Sequence, residues 1–146
     1  MDQAFEMTIR SDIGDSPAVS ERLEGAMTAH GFSPEKILDT QLAVEEVITN
    51  VIVHGYKKAG GEIHVACLIA EDSAGIRITD TAPPFNPLSI PEPDLAGEVS
   101  YRKVGGLGIY LVRQVMDEVR YRHENGKNIL TLIKKKNPWP VVSPRE

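Results

Sequence analysis

Cysteine is nearly absent. Cys67 stands alone, so no intrachain disulfide can form, and a reducing compartment is the simpler setting. Long apolar runs are missing too; none approaches the ~20 residues of a membrane helix. The N-terminal "MDQAFEMTIR" lacks the basic-then-apolar order of a signal peptide. Basic residues are not in excess. The net charge is −5, which gives no sign of a direct nucleic-acid partner. His30, His64 and His123 are dispersed and build no metal-ligand cluster. There is no internal repeat. Together these absences set the expectation of a cytoplasmic protein working away from membranes and nucleic acid.

The 146 residues suit one domain and can bury a core without staples. "AFEMTIR" alternates, with Phe5, Met7 and Ile9 on one side, and reads as a strand. "DSPAVSERLEGAMTAHGF" reads as a helix capped by Ser16, with Pro17 in its first turn and Gly31 as its stop. Val19, Leu23, Ala26 and Met27 form its core stripe. "SPEKILDTQLAVEEVITNVIVHGY" repeats the pattern at greater length: Ser33 caps, Pro34 starts and Gly55 ends. "GEIHVACLIAE" and "AGIRITD" are strands around a turn at Asp72–Ser73, with Cys67 alternating among core residues. Residues 82–104 hold five prolines and few core candidates, the mark of a functional or mobile loop. "GGLGIYLVRQVMD" opens on glycines and continues as an amphipathic helix. "EVRYRHE" and "KNILTLIKKK" form a hairpin at Asn125–Gly126, with the lysines at 134–136 read as a solvated strand end. Residues 1–136 are thus one domain, and 137–146 a proline-rich tail.

The order β-α-α-β-β-loop-α-β-β pairs strands in hairpins and clusters helices. That predicts an α+β fold: a two-layer sandwich with a mostly antiparallel sheet and helices on one face. A doubly wound parallel sheet would need regular strand–helix alternation.

Three features carry chemistry. On a helix, residues four apart lie about 40° from each other, so Glu46, Asn50 and His54 form one slanting polar stripe. Leu42 and Val53 flank it on one side, Val47 and Val51 on the other. A desolvated carboxylate is costly unless paired or bound to a cation. The stripe therefore faces a cleft holding something that wants oxygen ligands, or the helix is rotated and the stripe is simply wet. Asp80 ends a strand, where a carboxylate can accept from an exocyclic amine such as that of adenine. "GGLG" precedes a helix, and its glycines let the backbone approach an anion at the helix N-terminus. It is neither G-x-G-x-x-G nor a Walker A loop. Each feature alone is weak.

In this order the three resemble the nucleotide-binding boxes of the histidine-kinase-like ATPase superfamily, the Bergerat fold. The closer likeness is to its single-domain branch, the anti-sigma factor serine kinases, through "AVEEVITNVIVHGY", "DTAPPFNP" and "GGLGIYLVRQVMDEVRY". The resemblance runs from roughly Phe5 to Lys135. It implies ATP and Mg²⁺ as cofactors, with Asn50 as a metal ligand and Glu46 as general base on a partner's serine. It implies Asp80 as the adenine reader, Ala82 beside it in the same box as a nucleotide-binding position, and the backbone of Gly105, Gly106, Leu107, Gly108 and Ile109 on the phosphates. Loop 82–104 would be a lid, and Lys103 or Arg102 would reach the γ-phosphate. Implied partners are a STAS-domain anti-anti-sigma protein, which is phosphorylated, and a sigma factor, which is held; a homodimer stays open. Two departures stand out. Many members carry a basic residue immediately before the glycine box, where Val104 stands here, with Arg102 and Lys103 just upstream. The second box often reads D-x-G, and Ala82 occupies the place of that glycine. The alternative is a nucleotide-binding interaction module with little or no kinase activity.

Overall fold

The computed structural model describes residues 2–11, 15–57, 59–89 and 106–137. The sandwich appears as expected. Five strands are β1 (Asp2–Arg10), β2 (Glu62–Ile69), β3 (Ser73–Asp80), β4 (Glu118–Glu124) and β5 (Lys127–Lys135). Three helices are α1 (Ser16–Ala29), α2 (Pro34–Asn50) and α3 (Gly106–Val115). The sheet order is β1-β2-β3-β5-β4, and every pairing is antiparallel. The β4–β5 hairpin turns on Asn125 and Gly126, both at positive φ, as an Asn-Gly turn requires.

Period-two alternation sends one set of side chains toward the helices. Ile63, Val65, Cys67 and Ile69 of β2 are buried there, as are Ile76 and Ile78 of β3 and Leu130 and Leu132 of β5. Val19, Leu23 and Met27 of α1 and Ala43, Val44, Val47 and Ile48 of α2 close the core above them. Burial pushes the Cys67 thiol up to about 11, so it packs as a small neutral hydrophobe.

Three local expectations are corrected. Ser16 is the first residue of α1; Asp15 holds the cap position, with no side-chain cap hydrogen bond. Pro17 follows at once and gives up no bond by lacking N–H, so the helix starts without a cap. In α2, Ser33 does cap, accepting from the Lys36 amide. Gly55, however, does not end that helix. After Asn50 the chain widens into a π-helical turn, Val51–Tyr56, and the stop falls at Lys57 with φ 54°.

The third correction is Lys134. It is not a solvated strand end but 6% exposed, in the same inward register as Leu130 and Leu132. Its Nζ donates to Asp39 Oδ2 on α2 at 3.1 Å and to the Val115 carbonyl at the end of α3 at 2.5 Å. One ammonium thus ties β5 to both helices. Lys134→Met keeps the apolar stem but strands the Val115 carbonyl and the Asp39 carboxylate. The expected cost is about 1–3 kcal/mol, since Asp39 retains some hydration. Urea unfolding checks this; an unchanged midpoint would show the tie to be dispensable.

Candidate functional site

The site lies where the C-terminal end of α2 meets the end of β3. Asn50, Asp80, Ala82 and Ile109 line one cavity there, joined by Phe85 and Asn128. Four residues named from sequence are thereby brought together from α2, β3 with its exit, and α3. Glu46 sits one turn before Asn50, against α3. A Cβ on Gly108 would fall 2.5 Å from Glu46 Oε2, so the third glycine of the box leaves room for this carboxylate. Gly106 and Leu107 begin α3. Arg102, Lys103 and Gly105 lie outside the described residues, as does most of the expected lid.

The polar stripe marks a boundary. Val47 on one side is buried and Val51 half-buried, whereas Leu42 and Val53 on the other are exposed. Glu46, Asn50 and His54 are half-buried between them. His54 faces an open groove beside Gly55 and Lys57. Asn50 Oδ1 is the telling atom. It is buried and has no hydrogen-bond partner, the one such side-chain atom among the described residues. A buried amide oxygen without a partner costs about 1–3 kcal/mol, so this geometry stores a cost that a hard cation would relieve. Magnesium fits this donor by the chemistry of the atom.

Asp80 is 6% exposed. Its Oδ1 accepts from the Ala82 amide at 2.9 Å and from Asn128 Nδ2 at 2.9 Å. Oδ2 accepts no hydrogen bond from the described residues, leaving an acceptor for a ligand amine. Burial holds the carboxyl above its ordinary 3.8, against the opposing pull of Asn128, the Ala82 amide and His123. A folded-state value above the unfolded one means that the native state binds the extra proton. The stability Asp80 contributes is therefore full below pH 3.8 and is lost as pH rises through the raised value. At neutral pH the charged form is a burden on the fold. Asp80→Asn should accordingly raise the melting temperature of the nucleotide-free protein, by about 2–4 °C per kcal/mol relieved. Under the adenine-reading role that the resemblance implies for Asp80, the same change weakens adenine binding, because the amide's NH₂ cannot accept the base's proton. Scanning calorimetry at neutral pH checks the first half; a lowered melting temperature would contradict it.

Sequence reading missed two polar anchors. Tyr56 Oη donates to the Glu62 carbonyl at 2.6 Å and accepts from the Thr81 amide at 2.8 Å. It fixes the exit of β3 against the end of the long helix. Asn128 lies directly across from Asp80 in the β3–β5 register. Its inward position was signalled by the alternation that buries Leu130 and Leu132.

Ala82 raises no backbone problem. Among the described residues only Lys57 and Asn125 are non-glycines at positive φ, so Ala82 adopts an ordinary conformation. Its methyl is accommodated from the opposite side. A Cβ on Gly55 would lie 3.1 Å from Ala82 Cβ, so the glycine in the π-helical turn clears the space. Such wide turns are common at functional sites.

An antiparallel sheet under three helices, with a largely apolar cavity that holds Asn50, Asp80 and Asn128 beside the longest helix, is the Bergerat sandwich. A family model described as the histidine kinase-like ATPase domain matches residues 9–134, and the chain belongs to that family. The serine-protein kinase RsbW of Listeria monocytogenes serovar 1/2a (strain ATCC BAA-679 / EGD-e) is 34% identical over 113 residues, 74% of this chain and 72% of the relative. That of Bacillus mycoides (strain KBAB4) is 29% identical over 132 residues, 88% of this chain and 82% of the relative. Among solved structures, the RsbU and RsbW domains of Rv1364c from Mycobacterium tuberculosis share the fold, with TM-score 0.61 at 20% identity. The match covers 95% of this chain and 35% of that one.

Proposed function

We propose that the chain is an ATP-dependent protein serine kinase and anti-sigma regulator. It phosphorylates a STAS-domain anti-anti-sigma protein and holds a sigma factor. Family membership supports the ATP site, and the serine-protein kinase relatives support the acceptor. The observation that carries the reading is the buried Oδ1 of Asn50, without a partner among the described residues and set in one cavity with Asp80.

Each residue then has a role. Asp80 Oδ2 accepts from the adenine amine while Oδ1 stays held by Asn128 and the Ala82 amide. Asn50 Oδ1 serves as a magnesium ligand. A bound magnesium ion supplies charge neutralisation along the phosphates. The amides of Gly105, Gly106, Leu107, Gly108 and Ile109 meet the phosphates at the start of α3, where the helix end favours negative charge. The family resemblance assigns Lys103 a positive charge toward the phosphates. Glu46, one turn before Asn50, takes the proton from the attacking serine hydroxyl. Gly108, lacking a side chain, gives this carboxylate its place.

The test is direct. The protein is incubated with ATP, magnesium and candidate STAS-domain proteins, and the products are searched for phosphoserine by mass spectrometry. Magnesium-dependent phosphoserine on one partner is the expected result. A protein that binds such partners and ADP but never transfers phosphate would be an interaction module instead.

A further inference from the structure

The cavity lined by Asn50, Asp80, Phe85 and Asn128 measures about 40 Å³. Ligand pockets begin near ~300 Å³, so a purine cannot enter without movement of a wall. Most of the wall is fixed. Val47 belongs to α2, and Ile78 and Leu130 to the middle of the sheet; all three are core. The wall that can move is segment 82–87, which contributes Ala82, Pro83, Phe85 and Pro87.

What holds that segment down is one side chain. Asn128 Nδ2 donates to the Ala82 carbonyl at 3.0 Å and the Pro83 carbonyl at 3.4 Å, besides Asp80 Oδ1. Asn128 Oδ1 accepts from the Phe85 amide at 3.3 Å and from Tyr121 Oη at 2.5 Å. Nδ2 faces only acceptors and Oδ1 only donors, so the amide has one sensible orientation. Among the described residues, the hydrogen bonds that leave residues 82–85 run to Asp80 and Asn128 alone. The segment and the base-reading carboxylate thus share one anchor. It is 7% exposed on a strand paired to β3 in unbroken register from Asn128 to Lys135.

We propose that Asn128 is a latch: it orients Asp80 for adenine and, by holding residues 82–85 closed, sets how fast the site admits a base. The proposal rests on the adenine-nucleotide reading of the site. Entry breaks the Asn128 bonds to Pro83 and Phe85, while the bond to Asp80 stays and keeps Oδ2 turned to the incoming amine. Tyr121 steadies the amide from the far side and leaves the Asp80 bond untouched.

Stopped-flow binding of fluorescent N-methylanthraniloyl ADP and GDP, in magnesium buffer, separates the two jobs. Asn128→Ala loses both. Its ADP association is faster than wild type, its ADP affinity falls about tenfold or more, and its preference for ADP over GDP shrinks by a similar factor. Tyr121→Phe loosens only the closure. It speeds association and dissociation together and keeps the wild-type preference, and it removes a single hydroxyl where Asn128→Ala endangers folding. A merely structural asparagine would lower the melting temperature without changing the ADP-to-GDP ratio of the folded protein. Wild-type rates and ratio in folded Asn128→Ala, or wild-type rates in Tyr121→Phe, would overturn the latch while leaving the site's reading intact. A wild-type protein that binds neither nucleotide would overturn the reading itself, and the latch with it.

Discussion

Glu46→Gln is expected to slow phosphotransfer to the partner protein by ~10²–10⁴-fold, the usual contribution of a positioned general base. Nucleotide binding should survive. Glutamine keeps the length, shape and hydrogen-bonding capacity of glutamate and loses only basicity. Glu46 is also outside the cavity that Asn50 and Asp80 share, so the base-binding contacts stay in place. Gly108 offers the same effect by another route. An added methyl would stand 2.5 Å from Glu46 Oε2, the free end of a flexible side chain. Gly108→Ala should therefore fold, bind ADP and transfer phosphate poorly, because the carboxylate swings away. Radiolabel transfer alongside ADP titration reads both variants. A Glu46→Gln protein that phosphorylates its partner at the wild-type rate would remove Glu46 from the chemistry.

Asn50→Ala is expected to act on the metal. ADP affinity in magnesium should fall about 10–100-fold, the scale of one charge-assisted contact, and approach that of the wild type in EDTA. Stability should move the other way or not at all. The buried Oδ1 has no partner, so deleting it removes a cost from the nucleotide-free fold. A variant that binds worse and melts no lower is the signature of a group kept for function. Asn50→Ala with an undiminished magnesium effect on ADP affinity would assign the metal elsewhere.

Much of this was legible in the sequence, for identifiable reasons. Hairpin signals such as Asn125–Gly126 fixed strand pairs locally, and period-two runs such as Ile63-Val65-Cys67-Ile69 showed which face was buried. Glu46 and Asn50 stood out because polar residues four apart interrupt an apolar helix face. Misreadings arose where a long-range contact overrode a local rule. The lysine run ending β5 looked solvated, yet Lys134 has Asp39 and the Val115 carbonyl waiting across two helices. Gly55 looked like a helix stop, but its missing side chain serves Ala82, 27 positions on. Asn128 was passed over because the pattern Asn128-Leu130-Leu132-Lys134 was not followed to its polar ends. Once the strands are paired, that register sets Asn128 opposite Asp80. Local grammar thus gave the elements and singled out Asn50 and Asp80, which share one cavity, while the anchors around them required the third dimension.

The central claim is an adenine-nucleotide site read by Asp80 and completed by magnesium at Asn50. Titration calorimetry of the wild-type protein and Asp80→Ala with ADP, in magnesium and in EDTA, tests it most directly. The account predicts saturable one-to-one binding of ADP to the wild type, stronger with magnesium, and loss of that binding in a folded Asp80→Ala. Absence of ADP binding by the wild type, or equal binding by Asp80→Ala, would contradict it.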